Sequence, residues 1–458
     1  MSKFDRRKFI KTTSLSAAFA STSSLYSFKS RSSDQKYMGD FVSPKLKNIK
    51  AAFIGVGYRG KGHINLFASL PGTEVVAISD LYEDNINASL KILEKLNKPV
   101  DKIKKYWGGQ NKWKTMLKEV KPDIVFISTN WNSHGEMAIE TMKNNAHAFV
   151  EVPLALSIKQ LWEIVDTSEK YNKHCMMMEN VNYGREELMF LNIIRNGYLG
   201  NLLHAEAAYI HDLRFQMFEE DRGTGSWRTF QYEKKKGNLY PTHGLGPVSQ
   251  YMNLLRSEDN FKTIVSFSSP AMGRKKFANE NFPENHKWNE LNYQNEDLNT
   301  SIIKTHVVRT IMVQWDETSP RPYTRLNLIQ GTKGILAGGP TRAAFDDGFE
   351  NFTNDSKQWI KDDGIKRLYE KYDHPLYKRL NEKTKDSGHG GMDGIMMYRI
   401  VECLKNGTPL DQNIYEGCAW SSLIELTSNS VKDDGQPQQF PDFTRGNWVT
   451  TKTFDIIS

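Results

Sequence analysis

The chain is poor in cysteine: Cys175, Cys403 and Cys418 are the only three among 458 residues. They are odd in number, widely spaced and form no Cys-x-x-Cys pattern. That excludes a disulfide framework and a thiolate metal or redox motif, and leaves them as small buried hydrophobes. No metal site is expected. Long hydrophobic runs are missing too. No apolar stretch reaches the roughly 18 residues that a bilayer-spanning helix needs, so no membrane span is expected. Charge of one sign is not concentrated either, because 61 basic and 54 acidic residues are interleaved along the chain. A net charge of +7 without a basic stripe gives no reason to expect nucleic-acid binding. No internal repeat is present. What remains is a hydrophobic fraction of 38%, enough to bury the cores of one large or two ordinary domains of a soluble globular protein.

The amino terminus stands apart from the rest. Asp5-Arg6-Arg7-Lys8-Phe9-Ile10-Lys11 precedes a weakly apolar, Ser/Ala-rich stretch that runs to about Leu25. Paired arginines followed by a mild apolar region resemble a bacterial twin-arginine signal, the alternative being a basic tail. Residues 1–45 are therefore expected to be signal and linker outside the folded core, and the mature protein to be periplasmic or otherwise exported.

From Lys47 onward strands and helices alternate. Ile49–Gly55, Glu74–Leu81, Pro122–Thr129 and Ala146–Pro153 read as buried strands, with helical patterns over Asp84–Leu96 and Ser133–Asn144. Such repetition predicts a parallel sheet with helices on both faces. The first strand runs into GVGYRG, with Gly55, Gly57 and Gly60 in the G-x-G-x-x-G register, and a helical segment follows. Asp80 ends the next strand, twenty residues after Gly60, where a carboxylate can accept from a ribose 2′-hydroxyl. Residues 46–180 are thus expected to form an NAD-binding Rossmann domain, Asp80 favouring NAD over NADP.

Beyond about Asn180 the texture changes. Thr263–Ser269, Ser301–His306, Arg309–Trp315 and Thr324–Ile329 alternate like antiparallel strands with one covered face. A second, α+β domain over residues 181–458, built on an open antiparallel sheet, is expected to bind the substrate. The helical patterns at Met392–Leu404 and Tyr415–Ser428 either cover that sheet or pack back on the first domain, and the charged residues 345–387 read as loop-rich.

Together these features resemble the glucose-fructose oxidoreductase and inositol dehydrogenase superfamily (Gfo/Idh/MocA). The Glu-Lys-Pro usual in its dehydrogenases is here Glu151-Val152-Pro153, without the lysine. The stretches WNSH, EV, ENVNYG, AYIHDLR, LYPTHGLGP, RPY and GHGGMD together resemble glycoside hydrolase family 109, though better-studied members have Trp-Glu-Trp-His where this chain has WNSH. That resemblance implies an α-N-acetylgalactosaminidase-like enzyme in which NAD is a resident catalyst. It also implies that Tyr58, Arg59, Asp80, Trp131, Asn132, Ser133, His134, Glu151, Val152, Asn180 and the segment Tyr240-Pro241-Thr242-His243 line the cofactor. Tyr209, Arg228, Tyr240 and Tyr323 would contact the sugar of a small glycoside or a glycan terminus. A homo-oligomer is left open.

Transient oxidation of the sugar at C3 acidifies the C2 hydrogen, whose removal gives an enolate that expels the C1 oxygen; water then adds and the oxidation is reversed. A base of tunable pKa near C2 is required, and His243 and Tyr183 are the available types. Glu151 is expected to position water or shuttle a proton. His389 is expected to sit at a helix start where Ser387 or the glycines cap it, and Arg214 is either a sugar contact or a surface ion pair. A redox-neutral cycle also reconciles an NAD fingerprint with an export signal, since one cofactor, bound before export, serves every turnover. The alternatives are an NAD-dependent sugar dehydrogenase and a non-catalytic nucleotide- or sugar-binding protein.

Overall fold

The structure, a computed structural model, describes residues 31–346 and 357–455. The twin-arginine stretch lies outside the described residues. Six strands, β1 (Ile49–Ile54), β2 (Thr73–Ser79), β3 (Lys104–Tyr106), β4 (Ile124–Ile127), β5 (His147–Val150) and β6 (Cys175–Met177), form one sheet in the order β3-β2-β1-β4-β5-β6. Every pairing is parallel. All residues of β4 and β5 are buried, as expected of strands covered by helices on both faces. The order reverses between β1 and β4, and in such sheets the ligand crevice lies at that reversal, outside the carboxyl ends of the strands. The four strands expected from the sequence are β1, β2, β4 and β5; the short β3 and β6 add the edges.

The second sheet has eight strands: β7 (Leu202–Ile210), β8 (Phe261–Ser268), β9 (Leu298–Thr305), β10 (Thr310–Asp316), β11 (Leu328–Gly331), β12 (Gly334–Ala337), β13 (Arg342–Phe345) and β14 (Gln438–Gln439). Their order is β13-β12-β11-β7-β10-β9-β8-β14. It is antiparallel except that β7 and β10 run parallel, so the expected antiparallel sheet is in fact mixed. The expected strand at Thr324–Ile329 is displaced to Leu328–Gly331, because Leu326 and Asn327 take positive φ (57° and 50°) and break the extended run. Residues 363–384 are not loop but two amphipathic helices, Asp363–Tyr372 and Pro375–Thr384.

Two terminal helices join the halves. Met392–Asn406 buries Ile395, Met396, Ile400 and Leu404 in one cluster with Phe53, Ile64 and Phe126 of the first domain. Ile414–Lys432, opened by an Asn413/Glu416 capping box, packs on β8 and also on β6 and the helix Ile158–Tyr171. The expectation that everything up to Lys45 lies outside the core is corrected for residues 31–45. Met38 is buried and donates its N–H to Tyr415 Oη at 3.0 Å, Tyr37 stacks on Tyr415 at 4.9 Å, and Arg31 pairs with Glu169 at 2.8 Å. The three cysteines are buried and free. Among the described residues no helix is long and apolar enough to cross a membrane.

Candidate active site

The glycine turn joins β1 to the helix Tyr58–Ser69. Gly55 has φ +79°, and a Cβ there would also meet Ser128 O at 2.7 Å. At Gly60 a Cβ would stand 2.0 Å from Gly55 O, so only hydrogen lets the helix close onto the strand. At Gly57 a Cβ would meet nothing within 4 Å, which leaves the backbone open to a ligand on that side. No acidic residue occupies the first helical turn and no side chain caps it, so its N–H groups are available to an anion. Asp80 Oδ2 accepts from Val56 N at 2.7 Å, and its Oδ1 accepts from Tyr82 N at 2.9 Å and Asn85 Nδ2 at 3.1 Å. A carboxylate has about four acceptor sites, so a ribose hydroxyl can still be held there. This donor set fits a dinucleotide. Tyr58, by contrast, is 94% exposed.

Behind the turn lies a charged cluster that links the two domains. Arg59 donates to Glu151 Oε1 at 2.8 Å and holds Asp393 with both terminal nitrogens, at 2.5 and 3.0 Å. His63 Nε2 approaches the same Glu151 oxygen at 2.6 Å, while Asn180 Nδ2 donates to Asp393 Oδ1 at 2.8 Å. Burial opposes ionisation of Glu151, but the charge of Arg59 and the His63 contact outweigh it and hold its carboxyl down to about 2. A carboxylate fixed as an anion at neutral pH is a poor proton shuttle. Glu151 Oε1 holds Arg59 and His63 in place, which speaks against the proton-shuttle alternative and leaves the water-positioning one open. Asp393, also buried, is likewise held low by His389 and Arg59. His389 Nδ1 lies 2.8 Å from Asp393 Oδ2, while Ser387 Oγ accepts from Gly394 N at 3.0 Å, the capping expected of it.

At the other end of the cleft, rings from both domains meet. Trp131, the first residue of the helix Trp131–Lys143, lies 5.9 Å from Tyr240, which lies 4.7 Å from Tyr209. Arg228 stacks over Trp131 at 4.6 Å and Tyr240 at 5.0 Å and is ion-paired with the buried Glu317. Burial raises the Tyr209 and Tyr240 hydroxyl pKa values. The half-exposed Tyr323 stands 6.2 Å from Tyr209 and accepts from Arg325. His243, in the first turn of the helix Thr242–Tyr251, is edge-on to both Tyr209 (5.3 Å) and Tyr240 (4.9 Å). Its Nδ1 lies 2.7 Å from Oε1 of Glu179, a carboxylate with no exposed surface. In the tautomer that donates Nδ1–H to this carboxylate oxygen, Nε2 presents its lone pair, and it has no hydrogen-bond partner among the described residues.

Other sequence expectations fare unevenly. Tyr183 is corrected: it is buried and its hydroxyl donates to Asp411 Oδ2 at 3.2 Å, within the pair that Asp411 forms with Arg399. Burial and the Asp411 charge push its pKa well above the ordinary value, so it is not a usable base. Arg214 forms a local pair with Asp212 at 2.8 and 2.9 Å, which settles it as an ion pair. His134 is buried between two carbonyls, Pro153 O at 2.7 Å and Thr129 O at 3.0 Å, and burial lowers its pKa. It fixes loops rather than facing the cleft. Asn132 is exposed, Ser133 donates to Asn130, and Val152, Pro241 and Thr242 are buried supports around Glu151 and His243. Glu179, Asp393, His63 and Glu317 were not singled out by the sequence. Only the ENVNYG stretch hinted at Glu179, and no spacing rule ties it to His243.

This combination, a Rossmann sheet with a charged cofactor cleft opening onto a second mixed sheet, defines the two-domain fold of the NAD-dependent Gfo/Idh/MocA oxidoreductases. The family model described as "Oxidoreductase family, NAD-binding Rossmann fold" matches residues 49–179, and NAD is the cofactor. Solved structures of that fold include levoglucosan dehydrogenase in complex with NADH and levoglucosan (TM-score 0.63, 15% identity, 86% of this chain and 100% of that one). Another is scyllo-inositol dehydrogenase from Lactobacillus casei with NAD(H) and scyllo-inositol (TM-score 0.59, 12% identity, 86% and 99%). The model described as "Glycosyl hydrolase 109, C-terminal domain" matches residues 183–450. The chain is 56% identical to glycosyl hydrolase family 109 protein 1 of Akkermansia muciniphila over 92% of its own length and 87% of the relative's. It is 48% identical to a glycosyl hydrolase family 109 protein of Shewanella pealeana over 99% of both. The chain belongs to glycosyl hydrolase family 109.

Proposed function

We propose that the protein hydrolyses glycosides, foremost N-acetylgalactosaminides, through transient oxidation at C3 and elimination across C2 and C1, with NAD resident throughout. The observation that carries this reading is the Glu179–His243 pair, a buried carboxylate fixing an imidazole that stands edge-on to Tyr209 and Tyr240 at the ring-lined end of the cleft. When bound, NAD⁺ supplies the reversible oxidation of the sugar at C3. Asp80, the glycine turn and the N–H groups at the start of Tyr58–Ser69 hold it, and the Arg59 cluster fixes that turn against the second domain. His243 Nε2 takes the C2 proton, exchanges it with solvent and delivers a proton to C2 after water has added; Glu179 stabilises the imidazolium in between. Tyr209, Tyr240 and Tyr323 offer faces and hydroxyls to the sugar, and Arg228 places positive charge beside Tyr240 and Trp131. The choice of sugar follows the resemblance to the family. We also infer export of the folded protein from Arg6-Arg7, which cell fractionation checks.

Protein purified without added cofactor is expected to keep NAD through dialysis, to be measured in the supernatant after heat denaturation. It is further expected to release nitrophenol from an N-acetylgalactosaminide with no build-up of NADH. Stoichiometric NADH with a free sugar would mark a dehydrogenase instead. Activity in protein shown to be free of NAD would overturn the mechanism.

A further inference from the structure

Resting on the resident-NAD reading, the geometry points to Arg222 as a latch over the adenosine end of the cleft, through which the cofactor exchanges. The segment 211–223 begins at His211, whose Nδ1 meets Tyr209 Oη at 3.0 Å at the sugar end. It finishes on the first domain, where the Arg222 guanidinium lies 3.9 Å from the centre of the Tyr82 ring and its Nη2 donates to Asp84 at 3.0 and 3.2 Å. Tyr82 donates its own N–H to Asp80, so the latch sits beside the carboxylate that would hold the ribose. The two ends of the segment thus touch the two ends of the cleft, while Met217 and Phe218 between them pack on Trp288, Phe277 and Phe282.

Its turn is built in advance. Glu219 Oε2 accepts from Gly225 N at 2.8 Å, Gly223 takes φ +99°, and a Cβ on Gly225 would stand 1.7 Å from Gln216 O. Only the side chain of Arg222 has to move for the contact to open. The two ends of the cleft also differ in strength. Arg59 meets an Asp393 that is 3% exposed, whereas Arg222 and Asp84 are 44% and 67% exposed. An exposed ion pair is weak and screened by salt, while a buried one is screened much less. Opening therefore falls to the adenosine end, and Arg222 sets its rate without being part of the chemistry.

The test uses the full protein loaded with NAD, challenged with excess isotopically labelled NAD and sampled by rapid desalting. Exchange is expected to be roughly tenfold faster in Arg222→Ala, the combined worth of an exposed ion pair and an exposed cation–π contact, and several-fold faster in Asp84→Asn. Rising salt should speed exchange in the unaltered protein and have little effect in either variant. Both side chains are exposed, so neither change threatens folding. Slow exchange in Arg222→Ala equal to that of the unaltered protein would overturn the latch alone. Exchange within seconds in the unaltered protein would overturn the resident-cofactor reading along with it.

Discussion

His243→Ala is expected to lower turnover by roughly a hundredfold or more while leaving bound NAD in place, since a positioned general base contributes about that much. Steady-state assays with a nitrophenyl N-acetylgalactosaminide, alongside NAD content per chain, check it. The Nδ1 contact to Glu179 at 2.7 Å fixes which nitrogen is basic, and Tyr209 and Tyr240 fix where the ring points. Truncation removes the base and leaves the buried Glu179 with only the Val181 N–H to accept from, so the loss should fall on kcat more than on KM. Tyr183→Phe provides the contrast. Its hydroxyl serves Asp411 in another part of the interior, so that variant should lose stability without losing a catalytic proton acceptor. Near-normal turnover in His243→Ala would remove this residue from the mechanism.

A second large effect is expected from a pair of glycines three residues apart. Gly57→Ala should fold with little change in melting temperature, because φ is −64° and the new methyl meets no protein atom within 4 Å. It should nevertheless lose most of its NAD on dialysis, because the fingerprint needs the backbone at that glycine to approach the pyrophosphate. Gly60→Ala fails differently. Its Cβ would fall 2.0 Å from Gly55 O, so the helix must move off the strand, and overpacking of this kind costs about 1–3 kcal/mol or more. Melting curves and NAD content separate the two. Retention of a full equivalent of NAD by Gly57→Ala after dialysis would contradict the assigned cofactor face.

What could be read in the sequence was what lies close together along it. The glycine turn, Asp80 and the strands β1, β2, β4 and β5 announce themselves within short windows, because a parallel strand buried on both faces is a run of apolar residues. The strand β7 was less visible, since LLHAEAAYI mixes small and charged residues on a strand at the middle of its sheet. The ion network was invisible: Arg59 and Asp393 are 334 positions apart, and neither shows its partner until the helix Met392–Asn406 packs on the first domain. Tyr183 shows how proximity in sequence misleads. It lies in the 3₁₀ turn Asn180–Tyr183 that also carries Asn180, yet Asn180 reaches Asp393 while Tyr183 reaches Asp411. Glu179, one residue before that turn, supplies the carboxylate that orients His243 across 64 positions.

Hydrolysis in heavy water tests the central claim most directly. In displacement at C1 by a pair of carboxylates, the C2 hydrogen is never touched. In the route proposed here that hydrogen leaves as a proton onto His243, whose side chain is 12% exposed and so within reach of solvent exchange. Nuclear magnetic resonance of the released sugar should show deuterium at C2 at a level that grows with turnover and not on prolonged incubation of free product. Full-rate hydrolysis that leaves only protium at C2 would contradict the account.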